Sequence, residues 1–264
     1  MWRRSGQWKS CNMHHKVILN ADDFGKSPIV NGCIALCFKQ GTISRTSIMV
    51  NMPDAESAAE LAKREGFFSQ VGLHLNLTEG TPLTEEIKQT PFCNEDGEFT
   101  QWALKNSSRI WIAAEYRRIV QREIAMQCQR YLDMGFKLAH MDSHQHVHTN
   151  LSMLPLIIGE AEHFGFQSIR LSRNIPYAQI QGARYIYKRM VNRKISKFND
   201  SHNKNGMAVS LFGGMEDAEI FLKEKGSENA ALEIMMHPGT LCDGAVLDAL
   251  NGKCIEKWAQ EYIR

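Results

Sequence analysis

The sequence predicts an α/β barrel of about seven parallel strands, and three observations support that prediction. Short apolar runs alternate with longer amphipathic runs along the chain, and parallel strands need long connections of this kind. The composition shows no break halfway that would separate two domains. A length of 264 residues suits one large domain, so a single barrel is favoured over a doubly wound sheet with a second domain.

Seven segments have the length and the apolar character of buried strands. They are residues 17–20, 46–50, 71–75, 138–142, 168–171, 208–212 and 232–236. Between them lie helical patterns with recognisable ends. Ser27 and Pro28 suit an N-cap and a first helical position, and the glycines at positions 41, 66, 135 and 165 suit helix ends.

Residues 1–15 are predicted to be a disordered N-terminal extension before a single domain over residues 16–264. The extension holds basic residues and two tryptophans but lacks the apolar core of a secretory signal. No apolar run in the chain reaches membrane-spanning length. Seven cysteines, an odd number with no C-x-x-C pair, indicate reduced thiols. We therefore expect a cytoplasmic protein.

The formal net charge of +2 gives no electrostatic reason to expect nucleic acid as a partner. Basic residues concentrate between Arg184 and Lys197, where Tyr185, Tyr187 and Met190 interrupt them. Their helical spacing favours a solvated helix face over a binding patch.

Residues 76–106 interrupt the alternation of strands and helices. The segment contains Gly80, Pro82, Pro91 and Gly97 among other turn-forming residues, and loops of this length are usually lids or binding loops. Because the segment follows His74 directly, we predict a lid over a functional site. Apolar residues exposed on this lid would permit a homodimer. The alternative is that the segment is a surface loop without a function.

Polar residues stand where the predicted strands end. They are Asp22, Asp23, His74, Asp142, His144, His146, His148, Arg170 and His237. In α/β barrels the carboxyl ends of the strands converge on one face, where catalysis takes place. Residues that are scattered along the sequence would therefore meet in space, which packing alone does not explain.

Asp22 and Asp23 are adjacent carboxylates that cannot both enter an apolar interior without a large desolvation cost. One alternative is that one of them caps the helix that begins near Ser27 while the other is solvated. The functional interpretation gives them separate tasks. One binds a metal ion, and its neighbour takes a proton from the attacking water.

His144, His146 and His148 stand at alternate positions and offer imidazole nitrogens next to a strand end. An extended chain would aim all three in one direction, whereas a helical turn would pair His144 with His148. With His74 and one or two carboxylates they form a set with open positions, which is typical of a catalytic metal site. Core or solvated histidines without a ligand are the alternative.

His237 has no ligand partner at a recognisable spacing and is interpreted as a general acid or as a residue behind the ligands. Arg170 could anchor a substrate or hold a carboxylate in place, and a structural ion pair is the alternative. The sequence has no G-x-S-x-G elbow, no P-loop and no G-x-G-x-x-G after the first strand. These absences weaken serine hydrolase, kinase and dinucleotide-dependent oxidoreductase interpretations.

Three stretches resemble the YdjC-type carbohydrate deacetylases, a family that includes chitooligosaccharide deacetylase and a hopanoid-biosynthesis branch. They are residues 20–25 (NADDFG), 71–78 (VGLHLNLT) and 140–148 (HMDSHQHVH). Residues 169–171 and 237–239 also agree, so the resemblance runs from about Lys16 to the last predicted strand. It implies a seven-stranded, distorted (β/α) barrel related to polysaccharide deacetylases.

The resemblance also implies a role for each site residue. By position, Asp22 matches the proton acceptor and His237 the residue that protonates the leaving amine. The metal ligands would be Asp23, His74 and His144. His148 and Arg170 would contact the substrate or support the ligands from behind, and Asp142 would contact the substrate. The family is usually described with magnesium, whereas two imidazoles favour a softer ion such as zinc. We therefore expect a divalent metal ion of open identity.

The sequence thus predicts a metal-dependent hydrolase that removes N-acetyl groups from an amino-sugar oligosaccharide or glycoconjugate. Two other interpretations stay open. One is a metal-dependent sugar isomerase on the same barrel, since a fold does not fix a function. The other is a non-catalytic metal- and sugar-binding protein, although such a protein would not need Asp22 beside a ligand. A glycosidase would need two carboxylates that flank the scissile bond.

Overall fold

Seven parallel strands form a curled half-barrel sheet in this chain, as a computed structural model shows. They are β1 (Lys16–Phe24), β2 (Arg45–Ile48), β3 (Val71–Leu75), β4 (His140–Ser143), β5 (Ser168–Ile169), β6 (Leu211–Gly214) and β7 (Ala231–Met236). Their order across the sheet is β5-β4-β3-β2-β1-β7-β6, and each neighbouring pair is parallel. The predicted α/β barrel with about seven parallel strands is confirmed.

The structure describes residues 16–107, 111–137, 139–175, 182–203, 209–223 and 231–263. The predicted N-terminal extension, residues 1–15, lies outside these ranges, as do position 138 of the fourth predicted strand and position 208 of the sixth. None of the described helices is long and apolar enough to cross a membrane.

The two edge strands of the sheet, β5 and β6, are joined through the segment that follows β5. The backbone N–H of Asn174 donates to the Phe212 carbonyl at 3.0 Å. Its side chain accepts from the Phe212 N–H at 2.7 Å and donates to the Ser210 carbonyl at 2.9 Å. This asparagine therefore satisfies backbone groups that the edge of a sheet would otherwise leave unpaired.

Helices connect the strands, as the alternating pattern predicts. They are α1 (Pro28–Lys39), α2 (Ala55–Glu65), α3 (Glu85–Lys88), α4 (Trp102–Lys105), α5 (Ala114–Asp133), α6 (Leu154–His163), α7 (Gly182–His202), α8 (Met215–Lys223) and α9 (Ile255–Tyr262). The Ser27 hydroxyl caps α1 by accepting from the Val30 N–H at 3.3 Å. Gly66 ends α2 with a φ of 81°, which glycine adopts without a Cβ clash.

Strands and helices share one apolar core. β3 is buried at all five positions, as expected for a parallel strand that is covered on both faces. Tyr131 of α5 packs over it and donates its hydroxyl to the Val71 carbonyl at 2.8 Å, so the ring is buried with its polar atom paired. Burial of such a side chain contributes roughly 1.5–3 kcal/mol. This contact fixes α5 against the strand that carries His74.

An antiparallel hairpin follows β7 and is absent from the sequence prediction. It consists of β8 (Pro238–Cys242) and β9 (Ala245–Asp248), joined at Asp243 and Gly244. Both turn residues have positive φ values, 49° and 78°, as in the type I′ turn for which Asp-Gly is a preferred sequence. The hairpin packs against α1 and begins directly after His237.

Candidate active site

The end of β1 directs two adjacent carboxylates to different neighbours. The register of β1 against β2 shifts at this point, and Asp23 has a φ of 68°, a conformation that aspartate tolerates better than most residues with a Cβ. Asp22 is buried and contacts Arg170. Asp23 contacts His74 and His144. The local irregularity thus places the two carboxylates in two environments.

Asp23, His74 and His144 form the central group of the site. Asp23 Oδ1 lies 3.2 Å from His74 Nε2 and 2.8 Å from His144 Nδ1. One ligand-type atom from each residue lies within 4.8 Å of those of the other two. A carboxylate and two imidazoles therefore face a common point, and such a set can hold a metal ion.

Asp142 and Ser47 hold the ring of His74. Nδ1 of His74 lies 2.6 Å from Asp142 Oδ1 and 3.2 Å from the Ser47 hydroxyl. Ser47 in turn donates to the second Asp142 oxygen at 2.9 Å. A carboxylate at Nδ1 fixes the orientation of the ring and leaves Nε2 directed at Asp23, an arrangement that is common behind metal-binding histidines.

The histidine-rich segment forms a short 3-10 turn, His144–Thr149. Two of its residues have left-handed φ values of 52° and 59°, so the chain is neither an extended strand nor a regular helical turn. His144 belongs to the central group. His148 is fully buried, and its Nδ1 lies 2.6 Å from the Ser143 hydroxyl. Of the two alternatives, the chain therefore adopts neither the extended form that would aim all three imidazoles in one direction nor the regular helical turn that would pair His144 with His148.

Glu79 and Lys26 form the outer side of the site, and sequence reasoning missed both. Glu79 Oε2 lies 2.9 Å from His144 Nε2 and accepts from Lys26 Nζ at 2.7 Å. Asn76 positions Glu79, because its side chain accepts from the Glu79 N–H at 3.1 Å and donates to the Glu79 carbonyl at 2.6 Å. The signal in the sequence is the asparagine two residues after His74, at the start of the long loop.

The loop over residues 76–106 is packed onto the domain. Glu123 of α5 accepts from the N–H groups of Leu83 and Thr84 at 3.0 and 2.8 Å, which ties the loop to a helix. Several of its apolar side chains are buried, namely Leu77, Ile87, Phe92 and Phe99. These residues do not provide the exposed apolar surface that we expected for a homodimer. Closure of the loop as a lid stays a prediction.

Arg170 lies beneath the site among three carboxylates. It contacts Asp22 at two points, with Nη1 2.6 Å from Oδ2 and Nη2 2.8 Å from Oδ1. Nη2 also lies 2.6 Å from Asp142 Oδ2, and Nε donates to Glu233 Oε1 at 2.7 Å. Of the alternatives for Arg170, these contacts favour holding carboxylates in place over anchoring a substrate.

Asp142 and His148 were expected with Arg170 to bind a substrate, and all three are buried. Both oxygens of Asp142 are taken up by protein groups, His74 on one side and Arg170 on the other. This burial favours a role for them in fixing the site from behind. Contact with a substrate would require them to become accessible.

His237 reaches the site from the end of β7. Its Nε2 lies 4.0 Å from Asp22 Oδ2, and its side chain is 18% exposed. Its backbone N–H donates to Asp248 of the hairpin at 2.7 Å, which fixes the chain at this point. A cavity of about 240 Å³, lined in part by His237 and Asp248, opens here. The cavity gives small molecules a route to the histidine.

The charges of the site shift the pKa values of its members. Burial disfavours ionised Asp23, but hydrogen bonds to His144 and His74 outweigh it and lower the pKa of Asp23. Burial also disfavours protonated His74, and the charge of Asp142 outweighs it and raises the pKa of His74 to about 10. The hydrogen bond to His144 lowers the pKa of Glu79 to about 2. Carboxylates and imidazoles here stabilise each other's charged forms.

The structure brings the predicted site residues to one end of the sheet. Asp22 and Asp23 come from β1, His74 from β3, and His237 from the end of β7, while His144 directly follows β4. Their convergence at the carboxyl ends of the strands follows from the parallel order of the sheet. Their individual catalytic and ligand roles stay predictions.

Residues 16–262 match a family model described as YdjC-like protein. Carbohydrate deacetylases of Vibrio cholerae and Geobacillus stearothermophilus are similar to this chain, with 36% identity over 150 residues and 37% identity over 147 residues. Each match covers 56% of this chain and 56% of the relative, so it spans little more than half of either protein.

A crystal structure from Enterococcus faecalis shares the fold. It belongs to a protein named for a proposed role in cellobiose-phosphate cleavage. The TM-score is 0.62 at 20% sequence identity, and the match covers 94% of this chain and 95% of the other. At this identity the likeness concerns the architecture alone.

Proposed function

The chain belongs to the YdjC-like protein family, and we propose that it is a metal-dependent hydrolase that removes N-acetyl groups from an acetylated carbohydrate. The names of the relatives from V. cholerae and G. stearothermophilus support this activity. The observation that carries the proposal is the convergence of Asp23, His74 and His144 within 4.8 Å. Asp22 and His237 lie beside them, 4.0 Å apart.

The central group suits a divalent metal ion by its donor chemistry. His74 is hydrogen-bonded to Asp142 through Nδ1, so a neutral ring with its proton there offers the lone pair of Nε2. Asp23 adds a carboxylate oxygen and His144 an imidazole nitrogen. When bound, the ion would polarise the acetyl carbonyl and stabilise the negative charge that develops on its oxygen. Three protein ligands leave positions open, as in catalytic sites.

Two imidazoles and one carboxylate suit zinc or a related transition metal better than magnesium, which prefers oxygen ligands. We propose such an ion as the native cofactor, with magnesium as the alternative. The two alternatives differ in a measurable way, since magnesium would bind this donor set weakly.

Asp22 accepts the proton of the attacking water in the proposed reaction. Arg170 and Asn20 donate to its oxygens at 2.6–2.8 Å, which fixes the plane of the carboxylate. His237 donates a proton to the departing nitrogen. A C–O bond forms as the amide C–N bond breaks, so the products are acetate and a free amine. Positioned acids and bases of this kind typically contribute 10²–10⁴-fold to a rate, roughly 3–5 kcal/mol.

A metal-dependent sugar isomerase and a non-catalytic metal- and sugar-binding protein would use the same ligands. A binding protein has no need for a proton acceptor beside a metal ligand and a proton donor 4.0 Å from that acceptor. An isomerase would leave the acetyl group on the sugar. Acetate release therefore separates the three functions.

We also propose a cytoplasmic location. The described cysteines, at positions 33, 37, 93, 128, 242 and 254, are free thiols, as is usual in a reducing compartment.

The test is acetate release from N-acetylglucosamine oligomers by metal-stripped protein to which zinc, cobalt, manganese or magnesium is restored. Asp22→Asn should retain the metal ion and lose activity by roughly 10²–10⁴-fold. Asp243→Asn, at the exposed tip of the hairpin, is the matched control and should keep full activity. Full activity in Asp22→Asn, or no acetate with any ion, would overturn the proposal.

A further inference from the structure

A cationic pocket lies between α7 and the segment that follows β5. Its volume is about 470 Å³. Four of its lining residues are cationic, namely Arg173, Lys188, Arg189 and Arg193, and no acidic residue is among the described residues that line it. Such a concentration of one charge in a cavity favours an anionic occupant.

Arg189 and Arg193 belong to the basic stretch for which the sequence favours a solvated helix face. They are four residues apart on α7, so both project from one side of the helix, and like charges at this spacing repel each other. Within the described ranges, neither arginine takes part in an ion pair. Both side chains are exposed, as the predicted solvated face requires, and both also line the pocket.

The deeper cations of the pocket are also incompletely paired. Nε of Arg173 is buried without a hydrogen-bond partner in the described part of the chain, and its Nη1 lies 3.8 Å from Asp217, beyond hydrogen-bond distance. Lys188 donates to the Arg173 carbonyl at 2.9 Å. Burial, and to a smaller extent the charges of Arg184 and Arg173, lower the pKa of Lys188.

We propose that this pocket is a phosphate-binding site, with Arg189 and Arg193 as its main ligands. Guanidinium groups present a planar fork that matches phosphate oxygens at two points. An oxyanion between the two side chains would replace their repulsion by attraction to a shared partner. The Ser196 hydroxyl, one turn further along on the same wall, supplies a neutral donor.

The pocket is larger than a phosphate group, so the phosphate has two sources. It is either inorganic phosphate or the ester group of a small organic molecule whose remainder occupies the rest of the cavity. Arg173 also lines the cavity that contains His237, so the two cavities adjoin. Affinity for phosphate does not depend on whether the chain releases acetate.

The test is calorimetric titration of the full chain with inorganic phosphate, glucose 6-phosphate and glucose at low ionic strength. Phosphate should bind the wild-type protein, and the double variant Arg189→Gln/Arg193→Gln should bind it at least about tenfold more weakly, because it lacks the two charged hydrogen-bond donors. The matched control is Lys194→Gln/Lys197→Gln, which removes two exposed cations of α7 outside the pocket and should bind as the wild type does.

Equal weakening in the two double variants would show a diffuse charge effect and overturn the site, as would the absence of binding to the wild type. Tighter binding of glucose 6-phosphate than of phosphate supports the site and identifies an ester as its ligand. Equal binding of the two supports the site with inorganic phosphate as its ligand. Binding of glucose with the same affinity as its phosphate would contradict a phosphate site.

Discussion

The charges at the end of the half-barrel fall into two regions that adjacent residues connect. Below, Asp22 joins Arg170 in a buried network with Asp142 and Glu233. Asp22 keeps 2% exposure and is the member of this network that lies next to His237. Above, Asp23 lies among His74, His144 and, further out, Glu79. The two histidines are buried here, whereas Asp23 and Glu79 are partly exposed, at 16% and 38%. The two adjacent aspartates thus connect a buried network of ion pairs to a group whose outer members are partly exposed.

This difference in burial indicates that the two regions have different roles. Buried ion pairs contribute little net stability, because desolvation offsets their attraction, but losing one partner is costly. Such a network therefore holds side chains in defined positions. In the outer region, the carboxylate and imidazole atoms that could bind a metal ion lie within 4.8 Å of one another. Glu79, at the outer side of this region, is exposed to solvent. An incoming ligand can replace those contacts.

The largest effect is expected from Arg170→Met. It leaves three buried carboxylates without their counter-charge, so the free energy of unfolding should fall by about 3–5 kcal/mol. Urea denaturation of the metal-free protein measures the change. Arg184→Met on the exposed face of α7 is the control and should stay within about 0.5 kcal/mol. Equal stability of the two variants would show that Arg170 does not hold the inner region together.

Asp142→Asn tests the link between the two regions. The side chain keeps its shape but loses the charge that orients His74 at 2.6 Å. Removal of such a partner behind a metal-binding histidine costs about 10–100-fold in metal affinity. Competition with a chelator gives the dissociation constant. Unchanged affinity would mean that the inner region does not position the outer one.

The pH dependence of the metal-free protein sharpens the same comparison. The pKa of His74 is raised from 6.5 to about 10 in the folded state, so its contribution to stability is complete below pH 6.5 and is lost as the pH rises through 10. The free energy of unfolding should therefore fall between pH 6.5 and 10. His74→Gln should flatten this slope, whereas His163→Gln, on the surface, should not. A slope that survives in His74→Gln would refute this assignment.

The smallest effect is expected from Lys26→Ala. The ammonium group contacts Glu79 at 2.7 Å, but both side chains are about one-third exposed, at 31% and 38%. Partly exposed pairs contribute about 0.2–1 kcal/mol and weaken with salt. Thermal unfolding in low and high salt should show a small loss that disappears at high ionic strength. A loss as large as that of Arg170→Met would erase the distinction between the two regions.

The parallel strands and the polar residues at their ends could be predicted from the sequence. A strand that is buried on both faces appears in the sequence as a short apolar run, and polar residues mark the point where it ends. Asp23, His74 and His144 follow from that pattern and from the family resemblance. Glu79 could not be predicted, since it reaches His144 through a turn that Asn76 organises inside an irregular loop. Such contacts depend on backbone geometry rather than on periodicity.

Two other features, the buried charge of Glu233 and the hairpin of β8 and β9, could have been predicted from the sequence. Glu233 interrupts the apolar strand β7 and marks a buried charge that needs a partner, which Arg170 provides. The pair Asp243-Gly244 is a preferred hairpin turn and marks β8 and β9. The directions in which the three histidine side chains point could not be predicted from the sequence. They depend on the left-handed φ of His146, which the alternate spacing of the histidines does not reveal.

Metal stoichiometry in two neighbouring histidine variants tests the central claim most directly. His144 belongs to the central group, whereas His146 packs against Phe212. With metal-stripped protein and zinc, the wild type and His146→Ala should each bind one equivalent tightly, and His144→Ala should lose that binding. Equal affinity of the two variants, or tight binding in His144→Ala, would contradict a metal centre at Asp23, His74 and His144.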